Sequence, residues 1–132
     1  MGIYLNPGNE GFRKSLRSEI YVDKTGLIVY TNKVIDTRQQ FICVSRPRRF
    51  GKSMAAEMLA AYYSRGCDSH EMFQRLEIAK HPSFNEHLNQ YNVLFLNMQR
   101  FLSRAGSAKD VPEYLQSVVL EELKDTYGEL IK

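Results

Sequence analysis

The sequence predicts an α/β fold with a parallel sheet. Three observations predict it. Two short apolar runs rich in β-forming residues, FICVS (41–45) and YNVLFLNM (91–98), read as buried strands. An Ala-, Met- and Leu-rich stretch follows the first run and reads as a helix. A long amphipathic pattern follows the second. Strand, helix, strand, helix is the order of an α/β layer. The chain's 132 residues suit one domain, and 43% hydrophobic with 25% charged residues is ordinary globular composition, which excludes whole-chain disorder.

Along the chain, residues 1–20 hold the turn formers Asn6, Pro7, Gly8, Asn9 and Gly11 and read as a loose arm or short hairpin. Residues 21–132 read as the N-terminal part of a larger domain. A helix is expected within 22–36, with Asp23 as its cap and Leu27, Val34 and Ile35 near helical spacing. FICVS ends at Arg46-Pro47, and its Cys43 reads as an inert core thiol. SMAAEMLAAYYSRG (53–66) is apolar nearly all round except at Glu57, so it should be largely buried, and Gly66 should stop it. Residues 67–90 suggest a short helix at EMFQRL and another turn at HPSFNEHL. FLSRAGSAKD (101–110) reads as a loop. In the last helix Asp110 and Glu113 stand at capping-box spacing. From Leu115 its apolar residues run at 3-and-4 spacing, broken by Glu122.

Charge is unevenly spread. The formal net charge is +3, yet four of the eighteen basic residues lie between Arg46 and Lys52, without an acid among them. Setting those four aside leaves the rest of the chain at −1. A broad basic face for nucleic acid is excluded, and a small, dense anion fits better. No apolar run approaches the ~18 residues of a membrane span, and no secretory signal opens the chain. The cysteines Cys43 and Cys67 make no disulfide framework, so a reducing, cytoplasmic setting is expected. His70, His81 and His87 are too scattered for a metal site.

The informative segment is SRPRRFGKSMAAEML. A strand running into a loop, with Gly51-Lys52-Ser53 opening a helix, is the arrangement of a phosphate-binding P-loop. Backbone N–H groups at a helix start are unpaired, and the helix dipole adds positive charge. Gly51 lets backbone approach phosphate closely. Lys52 can reach the β- and γ-phosphates of ATP, and the Ser53 hydroxyl suits Mg²⁺. Arg46 stands where the usual pattern GxxxxGK[ST] has its first glycine. A solvated surface turn is the plain alternative. Three crowded arginines favour an anion to neutralise them.

These residues carry a resemblance. SRPRRFGKS is similar to the variant Walker A of the bacterial and archaeal AAA-ATPase-like family, and IYVDKTGLI (Ile20 to Ile28) resembles that family's Y-V-D-K-T signature. The likeness covers roughly residues 18–100 and rests on the joint occurrence of both motifs at fitting spacing. It implies a P-loop NTPase-like three-layer sandwich, a nucleotide ligand, and often a restriction-nuclease-like domain after it. By carry-over Arg46, Pro47, Arg48, Arg49, Phe50, Gly51, Lys52 and Ser53 would form the phosphate loop, with Arg48 or Arg49 at the γ-phosphate or facing a neighbouring subunit. Tyr21, Asp23, Lys24 and Thr25 would pack beside the nucleotide.

ATP hydrolysis also needs an acid at the tip of a core strand to hold Mg²⁺. The run VLFLNMQ offers Asn97 and Gln99 there instead. The sequence is therefore read as the N-terminal part of a larger ATPase, expected alone to bind nucleotide weakly and to hydrolyse it hardly at all. The alternatives are a non-enzymatic module in which RPRR meets nucleic-acid phosphates, and a degenerate P-loop kept as scaffold.

Overall fold

A computed structural model describes residues 4–18, 21–43 and 52–127. Seven α-helices lie among them: α1 (Glu10–Leu16), α2 (Gly26–Val34), α3 (Lys52–Tyr63), α4 (His70–Phe73), α5 (Phe84–His87), α6 (Met98–Ala105) and α7 (Val111–Tyr127). Two 3-10 turns, Glu77–Lys80 and Ala108–Asp110, complete the set.

The expected parallel-sheet sandwich is overturned: the described residues contain no strand and no sheet. The run at 91–97 is extended but pairs only through isolated bridges, Leu5 with Leu94 antiparallel and Ser64 with Tyr91 parallel. Asn6 N–H donates to Val93 O at 2.7 Å and Phe95 N–H to Tyr4 O at 2.8 Å. On the other flank Tyr91 N–H donates to Tyr63 O at 3.0 Å, and Arg65 N–H to Tyr91 O at 2.8 Å. Neither ladder continues, because each partner backbone turns away. Asn6 takes φ 48°, and the chain after α3 turns at Gly66 with φ 88°. The first expected strand fares no better. Phe41 is 87% exposed, and Ile42 and Cys43 are exposed too, so Cys43 is not the core thiol expected of it. Val44 and Ser45 lie outside the described residues. A short apolar run cannot by periodicity alone be told from other apolar structure.

The helices expected in 22–36, 53–66 and the C-terminal stretch are present as α2, α3 and α7. Two further helices form where turns or loop are expected. α1 lies against α3 and buries Phe12. α6 occupies MQRFLSRA, buries Phe101, and is followed by Gly106 at φ 84°. Such a glycine ends a helix without Cβ strain.

The main core gathers Phe12, Ile28, Met58, Tyr62, Phe73, Ile78 and Phe84 around α3. Phe12 stacks on Phe73 at 4.8 Å, and Tyr62 meets Phe73 edge-on at 5.5 Å. Most polar groups at this core find partners, as burial demands. Asn32 Nδ2 donates to Tyr62 Oη and to Ser83 Oγ, both at 3.1 Å, and Tyr62 Oη donates to Phe84 O at 2.7 Å. The end of α3 is capped by a side chain. Asn89 Nδ2 donates to Ala61 O at 3.1 Å and Ser64 O at 2.8 Å, while its Oδ1 accepts Ser69 N–H at 2.9 Å. Those carbonyls belong to the terminal set that a helix leaves unpaired.

A second cluster joins Tyr4, Phe101 and Val111 with Tyr114, Leu115 and Val118. Glu122, the polar break in α7, accepts the backbone N–H groups of Tyr4 at 2.9 Å and Leu5 at 3.0 Å. No described helix is long and apolar enough to cross a membrane.

Candidate functional site

Of the residues expected to hold phosphate, Arg46, Pro47, Arg48, Arg49, Phe50 and Gly51 lie outside the described residues. Lys52 and Ser53 are the first two residues of α3, and their side chains are outside the described set as well. The helix they open runs for 12 residues and carries no acid in its first turn.

Of the upstream motif, residues 21–28 are all described. Asp23 Oδ1 accepts the Thr25 N–H at 2.8 Å and the Thr25 hydroxyl at 2.6 Å. This local turn, with a carboxylate reaching two residues ahead, launches α2. The residue flanking α2 is therefore Thr25, not Asp23 as expected, and it makes no side-chain cap bond. Both residues also reach across the fold. Asp23 Oδ2 accepts Glu77 N–H at 2.9 Å, and Thr25 Oγ1 accepts Ile78 N–H at 3.1 Å. The motif thus clasps the first 3-10 turn to the start of α2. Burial would raise the Asp23 pKa, but bonds from Thr25 and Glu77 and the charge of Lys80 outweigh it and lower it from the ordinary 3.8.

Tyr21 packs edge-on against Phe12 with ring centroids 6.1 Å apart. Its hydroxyl is buried and has no hydrogen-bond partner among the described residues. Burial, helped by the nearby Asp23 charge, pushes its pKa up to about 12. Lys24 is exposed. The structure therefore brings Asp23 and Thr25 together with Glu77 and Ile78, while Tyr21 turns to α1.

One cavity of about 290 Å³ adjoins α3, walled by Tyr4, Gly8, Gly11, Glu57, Phe95 and Asn97 among others. Glu57 lies hard against α1: a Cβ at Gly11 would come within 2.9 Å of the Glu57 carboxyl carbon. In the sequence Gly8 and Gly11 read as turn formers and Glu57 as the polar exception of an apolar helix, and this cavity goes unseen. The signal available was that exception: one acid in an otherwise apolar helix just after the basic loop. Among the described residues no group of three or more His, Cys, Asp or Glu side chains could hold a metal ion.

Against models of known families, residues 8–130 match the AAA-ATPase-like family, described as a predicted AAA-ATPase. The chain belongs to the AAA-ATPase-like family. No curated protein and no solved structure matches it. Within this AAA-ATPase-like chain the match takes in the YVDKT clasp, the basic loop and α3, and reaches past Tyr127, the last residue of α7. The family assignment agrees with the resemblance carried by the two motifs, and it loosely points to nucleotide binding.

Proposed function

We propose that this chain binds ATP with Mg²⁺ through residues 46–53. One observation carries the reading: RPRRFGKS runs directly into a 12-residue helix, α3, in a member of a family of predicted AAA-ATPases. A helix of three turns presents N–H groups and a positive dipole end to an anion. Its first turn holds no carboxylate to compete for that place. Gly51 permits close approach of backbone to phosphate, Lys52 neutralises the β- and γ-phosphates, and Arg48 and Arg49 add charge. Ser53 supplies the hard oxygen that Mg²⁺ prefers. The family's YVDKT segment fixes α2 against the 3-10 turn Glu77–Lys80.

Titration of the chain with ATP, with and without Mg²⁺, tests the reading. Saturable binding that needs Mg²⁺ and is lost in Lys52→Ala and Gly51→Val is expected. Binding that any polyanion displaces, that falls steeply with salt and survives Lys52→Ala, would instead be phosphate-backbone attraction and would overturn it.

A further inference from the structure

We infer that the cavity between α1, α3 and the 91–97 segment seats the base of the bound nucleotide, with Glu57 accepting a hydrogen bond from the base's exocyclic amine. The inference rests on the nucleotide reading above and deepens it. Glu57 stands five residues into the helix that Lys52 opens. At ~1.5 Å per residue that is ~7.5 Å along the axis from the start of the helix. The cavity holds about 290 Å³. That is near the lower end of the roughly 300–1,000 Å³ usual for small-molecule sites, so it suits a ring system rather than a whole nucleotide.

The walls have the chemistry of a base pocket. Phe95 contributes an aromatic ring, and every base offers a π-face to stack on one. Gly8 and Gly11 contribute backbone without side-chain bulk. Glu57 is the acceptor-only group among the lining side chains named above, and its carboxyl group lies against Gly11, where a Cβ would make it shift. A carboxylate accepts from the 6-amino group of adenine. It meets only an oxygen at the same position of hypoxanthine, acceptor facing acceptor. A buried hydrogen-bonding site discriminates against the analogue that leaves it unpaired.

The test compares ATP, inosine triphosphate and inorganic tripolyphosphate, each with Mg²⁺, on wild type, Glu57→Gln and Gly11→Ala. Wild type should bind ATP about tenfold more tightly than inosine triphosphate, as suits one hydrogen bond to a charged group. In Glu57→Gln the amide can turn either its N–H or its oxygen to the base, so that preference should vanish while tripolyphosphate affinity is unchanged. Gly11→Ala, which displaces the Glu57 carboxyl group, should erode the preference in the same way, and helical circular dichroism checks that both variants fold. Equal affinity of wild type for the two nucleotides, or a preference that survives both substitutions, overturns the base pocket. If ATP is then still lost in Lys52→Ala, the phosphate site stands. Failure of folded wild type to bind any triphosphate overturns both.

Discussion

The Asp23 carboxylate accepts the backbone N–H of Glu77 at 2.9 Å while its other oxygen holds Thr25. One side chain thus organises a helix start and fixes a distant turn to it. Asp23→Ala removes three bonds to a charged acceptor, and because the carboxylate is partly solvated the cost should be about 1–2 kcal/mol. Chemical denaturation measures it. The pH sign follows from the lowered pKa. The Asp23 contribution is fully present above the unfolded value near 3.8 and is lost as pH falls through the lower folded value. Asp23→Asn should therefore lose less stability than wild type as pH is taken below 4; an identical acid profile contradicts the clasp.

Asn89 sits at φ 55° and donates to two carbonyls at the end of α3. Asn89→Ala places a residue of poorer left-handed tolerance there, takes the acceptor from Ser69 N–H, and leaves Ala61 O with only the Ser69 hydroxyl and Ser64 O with only the Cys67 thiol. The expected loss is about 2–3 kcal/mol. Asn89→Gly removes the strain but not the loss of bonds and should recover only part of it. Equal stability of Gly and wild type in urea would mean that the cap contributes nothing.

How far the sequence foretells this fold depends on where each element's stability comes from. α2, α3 and α7 carry their signal locally, in helix formers and 3-and-4 spacing. α1 does not: its seven residues hold one buried side chain, Phe12, and they are helical because they lie on α3. Helices this short draw on tertiary packing. α6 was hidden because its first residue, Met98, also ends the apolar run read as a strand. That run stays extended, yet Tyr4–Asn6 and Tyr63–Arg65 hold it at single rungs, which no pattern within 91–98 announces. Of the site, the basic loop and YVDKT are legible as motifs. The clasp to Glu77 and the approach of Gly11 to Glu57 are long-range contacts and are not.

Glu122 interrupts the apolar face of α7 in order to hold the backbone of Tyr4 and Leu5. Those two bonds fix the segment whose Tyr4 carbonyl accepts the Phe95 N–H. Glu122→Gln keeps one acceptor oxygen and should cost about 0.5–1 kcal/mol, whereas Glu122→Leu should cost about 1–3 kcal/mol by leaving both N–H groups unpaired. Amide hydrogen exchange at Leu5 and Phe95 should quicken together in the Leu variant. Unchanged protection there would show that the bridge between Leu5 and Leu94 holds without Glu122.

Buried tyrosines set the alkaline limit, Tyr62 among them, its pKa raised by burial. Burial raises both Tyr21 and Tyr63 to about 12, against an ordinary 10. A raised pKa on a group that ionises to an anion means stability is fully present below pH 10 and is lost as pH rises through 12. Unfolding in that window should coincide with tyrosinate absorbance at 295 nm. The two residues differ in what their hydroxyls do. Tyr63 Oη lies 2.6 Å from Thr31 Oγ1 and also bonds Asn32, so Tyr63→Phe should cost about 1–2 kcal/mol at neutral pH. Tyr21 Oη is buried with no partner among the described residues, so Tyr21→Phe should be neutral or stabilise by up to about 1 kcal/mol. Both substitutions should blunt the alkaline transition. A Tyr21→Phe chain that is destabilised at pH 7 would mean that the hydroxyl is bonded after all, and that this edge of the YVDKT motif is built differently.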